Sequence, residues 1–299
     1  MDTESFSLTD TTDVDFGAGT KDELVINGTG TGASLVLDTT VDDIFVNNQL
    51  GKWASLNEMP ALSWFSAYAR IVHDNKVYIY AFWERNIFGR YSVSEKKWEF
   101  LANAPRSVGP GCSLAYPGSG DFIYAIRGGE QKSFWKYSIS TDTWTTLADT
   151  LYPIRVGGSI AATSTKIFCV VGSSNYFLEY DIATNVWIER PVLHTDCGTS
   201  STAGPDYQSQ LVYPGTGNFI FLNRGGSSGN FCAYNMSPLI RSWTNFKPQN
   251  ASVQLNDLSY PGSGDYLYAW SSGLSSGTLK NFLRYKFRGD GGGLTTTEW

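Results

Sequence analysis

Charge is scarce in this chain. Only 17% of its 299 residues are Asp, Glu, Lys or Arg, against ~25% in an average domain, which excludes a disordered polyelectrolyte and a charge-laced coiled coil. Histidine is scarcer still. His73 and His194 are the only two, which leaves little room for a metal centre or an imidazole-based triad. The four cysteines (Cys112, Cys169, Cys197, Cys232) form no Cys-x-x-Cys pair, so neither a zinc site nor a disulfide framework is signalled and free thiols are expected. No run approaches the ~18 consecutive apolar residues of a membrane span. The start Met1-Asp2-Thr3-Glu4-Ser5 is acidic where a secretory leader would be basic. The expectation is a soluble chain, or one exported by a route not encoded here. A net charge of -6 gives no sequence-wide pull on nucleic acid or an anionic membrane, and neither is expected as a partner.

What the chain has in abundance is aromatic residues and glycine. Ten Trp, 17 Tyr and 17 Phe stand beside 31 Gly. Aromatics favour pleated, half-buried surfaces and glycine favours tight turns, so the combination points to many short strands. The length is compatible with a single large all-β unit.

An internal period gives the strands an order. Leu114-Ala-Tyr-Pro-Gly-Ser-Gly-Asp-Phe-Ile-Tyr124, Leu211-Val-Tyr-Pro-Gly-Thr-Gly-Asn-Phe-Ile-Phe221 and Leu258-Ser-Tyr-Pro-Gly-Ser-Gly-Asp-Tyr-Leu-Tyr268 each read as strand, turn, strand. A third strand bearing a Tyr follows, then a Trp. The Tyr to Trp distance is 7 in Tyr91/Trp98, Tyr137/Trp144 and Tyr180/Trp187, 9 in Tyr234/Trp243 and 14 in Tyr285/Trp299. These are five copies of one unit. Trp53 extends the series to six Trp, and Leu24-Val-Ile-Asn-Gly-Thr-Gly followed by Ala33-Ser-Leu-Val-Leu37 reads as a degenerate first copy.

A four-stranded unit at ~40 to 50 residues is the period of β-propeller blades. The Tyr-x-x-x-x-x-x-Trp spacing and the double glycines Gly128-Gly129 and Gly225-Gly226 resemble kelch repeats, over residues 59 to 299 and more faintly over 20 to 58. The resemblance implies an all-β, six-bladed kelch-like β-propeller at 20–299 with a degenerate first blade at 20–58, behind a polar arm at 1–19. The alternative is five blades plus a β-rich N-terminal segment. The pattern departs from the family at Trp83-Glu84-Arg85, at the lone Gly172 and at Ser271-Ser272-Gly273. Each blade has two apolar faces that only neighbours can cover. The recurring Tyr and Trp are expected to fill the wedges between blades, with the glycines at the crowded axis. The chain ends on Trp299 without residues for a full outer strand, so the arm at 2–16 is expected to supply one.

Candidate chemistry is thin. Val192-Leu-His-Thr-Asp-Cys197 alone unites His, Asp and Cys, but loop neighbours at that spacing rarely converge as a nucleophile pair. Gly28-Thr-Gly30-Thr-Gly32 lacks the helix a phosphate loop needs. Asp13 and Asp15 lack the further oxygen ligands of a calcium loop. Asn27 and Asn250 head glycosylation sequons that carry meaning only on a secreted chain. Kelch-like propellers include copper radical oxidases and sialic-acid-processing enzymes, but the paired His ligands of the former are not supplied here. Neither a cofactor nor catalysis is expected.

In an up-and-down meander the loops between strands two and three share a rim with the loops between blades. Arginines fall there: Arg127 and Arg224 before the double glycines, Arg85 in the corresponding break, Arg106 and Arg155 after prolines. Such a ring would suit a carboxylate, phosphate or acidic glycan. The plain alternative is that each arginine caps a carbonyl or pairs with an acid. Trp64 could stack on a sugar with Phe65, or start a strand in the core. The insertion Glu189 to Gln208 is the longest interblade loop and a place for partner contacts.

The function expected from the sequence is non-catalytic binding. The polar stretch Asp10-Thr-Thr-Asp-Val-Asp-Phe-Gly-Ala-Gly-Thr20 resembles lead-in segments of phage and cell-surface proteins. With no adaptor bundle beside the propeller, the expectation is a surface-exposed structural or receptor-binding protein of a virus particle, with assembly proteins or a host-surface glycan as partner. Cytosolic protein interaction and acidic-sugar processing are the alternatives.

Overall fold

The computed structural model describes residues 67–83, 85–193, 204–207, 209–226, 231–246, 253–262, 264–273 and 281–287. They form strands, turns and loops, and no helix lies among them. Blade one is β1 (Tyr68–His73), β2 (Lys76–Trp83), β3 (Ile87–Ser92) and β4 (Lys97–Phe100). Blade two is β5 (Ser113–Ala115), β6 (Phe122–Ile126), β7 (Phe134–Ser138) and β8 (Thr143–Thr146). Blade three is β9 (Ser159–Ala162), β10 (Lys166–Val170), β11 (Phe177–Asp181) and β12 (Val186–Arg190). Blade four is β13 (Gln210–Val212), β14 (Phe219–Asn223), β15 (Phe231–Asn235) and β16 (Trp243–Phe246). In blade five, β17 (Val253–Ser259), β18 (Tyr266–Gly273) and β19 (Asn281–Lys286) make a three-stranded sheet. Every sheet is an antiparallel meander in sequence order.

Burial explains the strand sequences. The middle strands β6, Phe-Ile-Tyr-Ala-Ile, and β10, Lys-Ile-Phe-Cys-Val, are buried on both faces after their first residue, because a blade has a neighbour on either side. Such strands carry apolar residues in unbroken runs instead of alternating them. The outer strand β8, Thr-Trp-Thr-Thr, keeps only its Trp partly buried.

One wedge recurs between blades. In blades one to four a Phe at the first or second position of the third strand sits against the Tyr of the next blade and, in blades one to three, against its Trp as well. Phe88 lies 4.9 Å from both Tyr137 and Trp144, Phe134 4.8 and 4.9 Å from Tyr180 and Trp187, and Phe177 4.8 Å from both Tyr234 and Trp243. Phe231 lies 5.1 Å from Tyr285. Edge-to-face contacts at these distances add to the area they bury. The expected wedge of Tyr and Trp is therefore present. Its Phe partner, three residues before each Tyr in a Phe-x-x-Tyr phrase, was not among the expected carriers.

Polar bonds lock the same seams. Trp144 Nε1 donates to the Ala102 carbonyl at 2.8 Å and Asp142 Oδ1 accepts the Ala102 N–H at 2.7 Å. Trp187 Nε1 and Asn185 Oδ1 grip Ala148 identically, at 3.0 and 2.9 Å. Asp142 also accepts the Tyr137 hydroxyl, and Asn185 that of Tyr180. Nearer the axis, the first strands of blades two, three and four each bond to the first strand of the next blade. Ser113 Oγ accepts from Ile160 N, Ser159 Oγ from Leu211 N and Gln210 Oε1 from Leu258 N.

The blade count corrects the sequence reading: the described residues form a five-bladed propeller, the alternative, and not six blades. A Cβ on Gly262, in the β17–β18 turn, would stand 3.0 Å from Arg70 Nη1 on β1. Blades pack ~10 Å apart, so an arginine side chain spans one seam and not a further blade. The overcount came from numbering units by Trp. Tyr91, Tyr137, Tyr180, Tyr234 and Tyr285 mark third strands and number five, whereas the Trp belongs to the outermost strand, which blade five lacks among the described residues. The first blade at 20–58 and the arm at 1–19 lie outside the described residues.

Candidate functional site

Hydrogen bonds place the expected rim. Loops between strands two and three adjoin the loops that lead into each blade: Val108 N donates to Arg85 O at 2.9 Å, Gly109 N to Arg127 O at 3.0 Å, Arg155 N to Val171 O at 2.9 Å, and Asp206 N to Arg224 O at 3.0 Å. The approaches to blades two, three and four each end in a turn closed from first to fourth residue. Cys112 N donates to Gly109 O, Gly158 N to Arg155 O and Ser209 N to Asp206 O, at 2.8 to 2.9 Å. These opening turns abut one another. A Cβ on Gly111 would overlap the Arg155 carbonyl, and one on Gly157 the Pro205 carbonyl. Gly128 combines φ of +66° with a site where a Cβ would collide with Cys112 N, so both its glycine properties are used.

Arg85, Arg106, Arg127, Arg155 and Arg224 all lie on this rim, but they divide into two groups. Arg127 Nε donates to the Ser107 carbonyl at 2.8 Å, and Arg224 Nε to the Gly204 carbonyl at 3.3 Å. In both cases the arginine of a blade ties down the loop that enters it, as the plain alternative held. Their position is filled by Trp83 in blade one and Val171 in blade three, so the tether is not a ring. Arg85 stands instead at the place of the second glycine, with φ of +60°. Arg85, Arg106 and Arg155 are exposed, and no side-chain bond or ion pair holds them among the described residues. Lys132 adds a further exposed cation, against Glu130, Asp149 and Asp206.

Three rim aromatics were missed by sequence reasoning. Tyr152 and Tyr176 stack at 3.9 Å with 9° between their planes, and the Tyr152 hydroxyl donates to Glu189 at 2.8 Å; that bond pushes the phenol above its ordinary range. Tyr207 is 66% exposed in the long insertion that was singled out. No local pattern marks Tyr207, because its exposure follows from the turn it occupies.

The other candidates lie apart from this rim or outside the description. His73 ends β1 with Nδ1 3.4 Å from Asp74, at the opposite ends of the strands. Trp64, Phe65, His194, Cys197 and the 28–32, 13–15, Asn27 and Asn250 segments are outside the described residues. Cys112 and Cys169 are free and Cys232 is buried, and burial pushes the Cys112 thiol up to about 12, far from a reactive thiolate.

No protein-family model matches the chain, and no curated protein matches it. The kelch resemblance rests on the repeat itself.

Proposed function

We propose that this propeller is a non-catalytic recognition module that meets its partner through the arginine-bearing rim. The observation that carries the reading is the trio Arg85, Arg106 and Arg155, exposed on one rim and without a side-chain partner among the described residues. Within the strands, Arg90 and Arg190 are held by Glu99 and Glu179, while Arg70 on β1 is exposed away from this rim. A guanidinium left to solvent on a rigid rim is available for bidentate bonding to carboxylate or phosphate groups.

The lead-in resemblance of residues 10–20 supports placing the module on the surface of a virus particle, bound to assembly proteins or a host-surface glycan. Affinity capture from the natural source tests both statements. The double variant Arg85→Glu/Arg106→Glu is expected to lose the co-purifying partner while keeping its melting temperature. Retention of every partner would reject the rim, and capture of cytosolic proteins in place of coat or tail proteins would reject the particle setting.

A further inference from the structure

The opening turns occupy matched positions in successive blades, yet their first two residues differ: Gly109-Pro110 in blade two, Arg155-Val156 in blade three, Asp206-Tyr207 in blade four. A cation, an anion and a broad aromatic face thus stand on two turns that touch, since a Cβ on Gly157 would lie 2.6 Å from Asp206 N. All three side chains are exposed, and Arg155 and Asp206 form no ion pair with each other. The scaffold beneath them is fixed. Ser173 N donates to Pro205 O at 2.7 Å, Gly226 N to Tyr207 O at 2.8 Å, and Tyr207 N to Asp206 Oδ1 at 2.8 Å. A backbone fixed in this way spares the cost of ordering the two turns on binding and leaves only the side chains to be ordered.

We propose that the abutting opening turns of blades three and four, with Arg155 on one and Asp206 and Tyr207 on the other, form a binding site for a carboxylated sugar. The proposal rests on the rim reading and narrows it to one ligand class. The guanidinium pairs bidentately with the sugar carboxylate. The phenol ring covers the C–H face of the pyranose, as aromatic rings cover apolar surface. The Asp206 carboxylate, an acceptor only, takes hydrogen bonds from ring hydroxyls. A neutral sugar leaves Arg155 without a counter-charge, and a phosphate brings more negative charge towards Asp206.

Saturation-transfer NMR and calorimetry on the full chain test this with N-acetylneuraminic acid, glucuronic acid, galactose, glycine and inorganic phosphate as probes. At least one sugar acid is expected to bind saturably, with galactose, glycine and phosphate at least about tenfold weaker. Arg155→Gln should weaken the acid about tenfold, the scale of one lost charge-assisted contact. Tyr207→Ala should do the same and Tyr207→Phe should not, while Lys97→Gln, on the exposed outer strand of blade one, leaves affinity unchanged. Absence of binding by both acids at millimolar concentration, equal binding of glycine or phosphate, or affinity indifferent to Arg155→Gln and Tyr207→Ala would each overturn the site. The rim reading fails separately, through Arg85→Glu/Arg106→Glu. Partner loss in that variant with no sugar-acid binding would leave the rim standing and remove this site.

Discussion

The seam between blades two and three and the seam between blades three and four share the Phe-Tyr-Trp wedge and differ in the clamp beside it. At the first, Asn185 accepts both the Ala148 N–H and the Tyr180 hydroxyl, while Trp187 donates to the Ala148 carbonyl. At the second, Trp243 Nε1 still donates to the matching carbonyl, that of Pro191, at 3.3 Å. Arg241, two residues before Trp243 and at positive φ like Asn185, takes the acceptor's place. Proline has no N–H to give, so an acceptor there would have lost one of its two donors. The seam is thus specified by a pair of positions, the fourth residue after one Trp and the second before the next. What remains at the second seam is the Tyr234 hydroxyl, buried and without a partner among the described residues.

The largest effect tests what the seams share. Trp187→Ala and Trp243→Ala should each cost ~3–5 kcal/mol by emptying the wedge, read as a fall in the denaturation midpoint. Equal losses would separate the wedge from the clamp; a much smaller loss at Trp243 would mean that the fourth blade leans on other contacts. The next effect tests what differs. Glycine accepts the left-handed backbone, so Asn185→Gly removes the side chain alone. It strands the Ala148 N–H and the Tyr180 hydroxyl and should cost ~1–3 kcal/mol. Arg241→Gly should fall within ~0.5 kcal/mol of the parent. If the two cost the same, the clamp is not what distinguishes the seams.

The pairing rule is sharpened by a cycle. Pro191→Ala restores an N–H that lacks an acceptor, and Arg241→Asn restores the acceptor. The double variant should be more stable than the sum of the single changes by ~0.5–1.5 kcal/mol. Additivity would show that proline and arginine at this seam are independent.

Much of this was written in the sequence at different depths. The Tyr-x-x-x-x-x-x-Trp spacing was legible because both residues recur at fixed places in a hairpin. The Phe three residues before each Tyr was equally visible, but its meaning lies across a seam that no single-blade pattern contains. Asp142 and Asn185 read as turn residues, which they are, at φ of +52° and +58°. Their second role depends on Ala102 and Ala148, some forty positions away. Arg127 and Arg224 are alike in sequence, and their shared task of holding Ser107 and Gly204 shows only when the incoming loop is in place. Tyr207 was out of reach for the same reason.

Charge separates the third and fourth blades as well, and gives the smallest effect. The last residue of β11 is Asp181, paired with Lys166 and accepting the Thr184 N–H at 2.8 Å. The corresponding residue of β15 is the neutral Asn235, which accepts the Ser237 N–H at 2.9 Å. The Lys166 ammonium, followed by the Thr184 bonds, pulls the Asp181 carboxyl down to about 2 from its ordinary 3.8. A carboxylate with a lowered folded value stabilises the fold above its ordinary value, and that contribution fades as pH falls through the folded one. Between about pH 4 and pH 2 the third blade therefore loses a contribution that the fourth never had. Asp181→Asn should flatten part of the acid limb of the stability curve, while Asn235→Ala, which removes a neutral cap, should shift the curve without changing its slope. A limb as steep in Asp181→Asn as in the parent would place the acid sensitivity outside this pair.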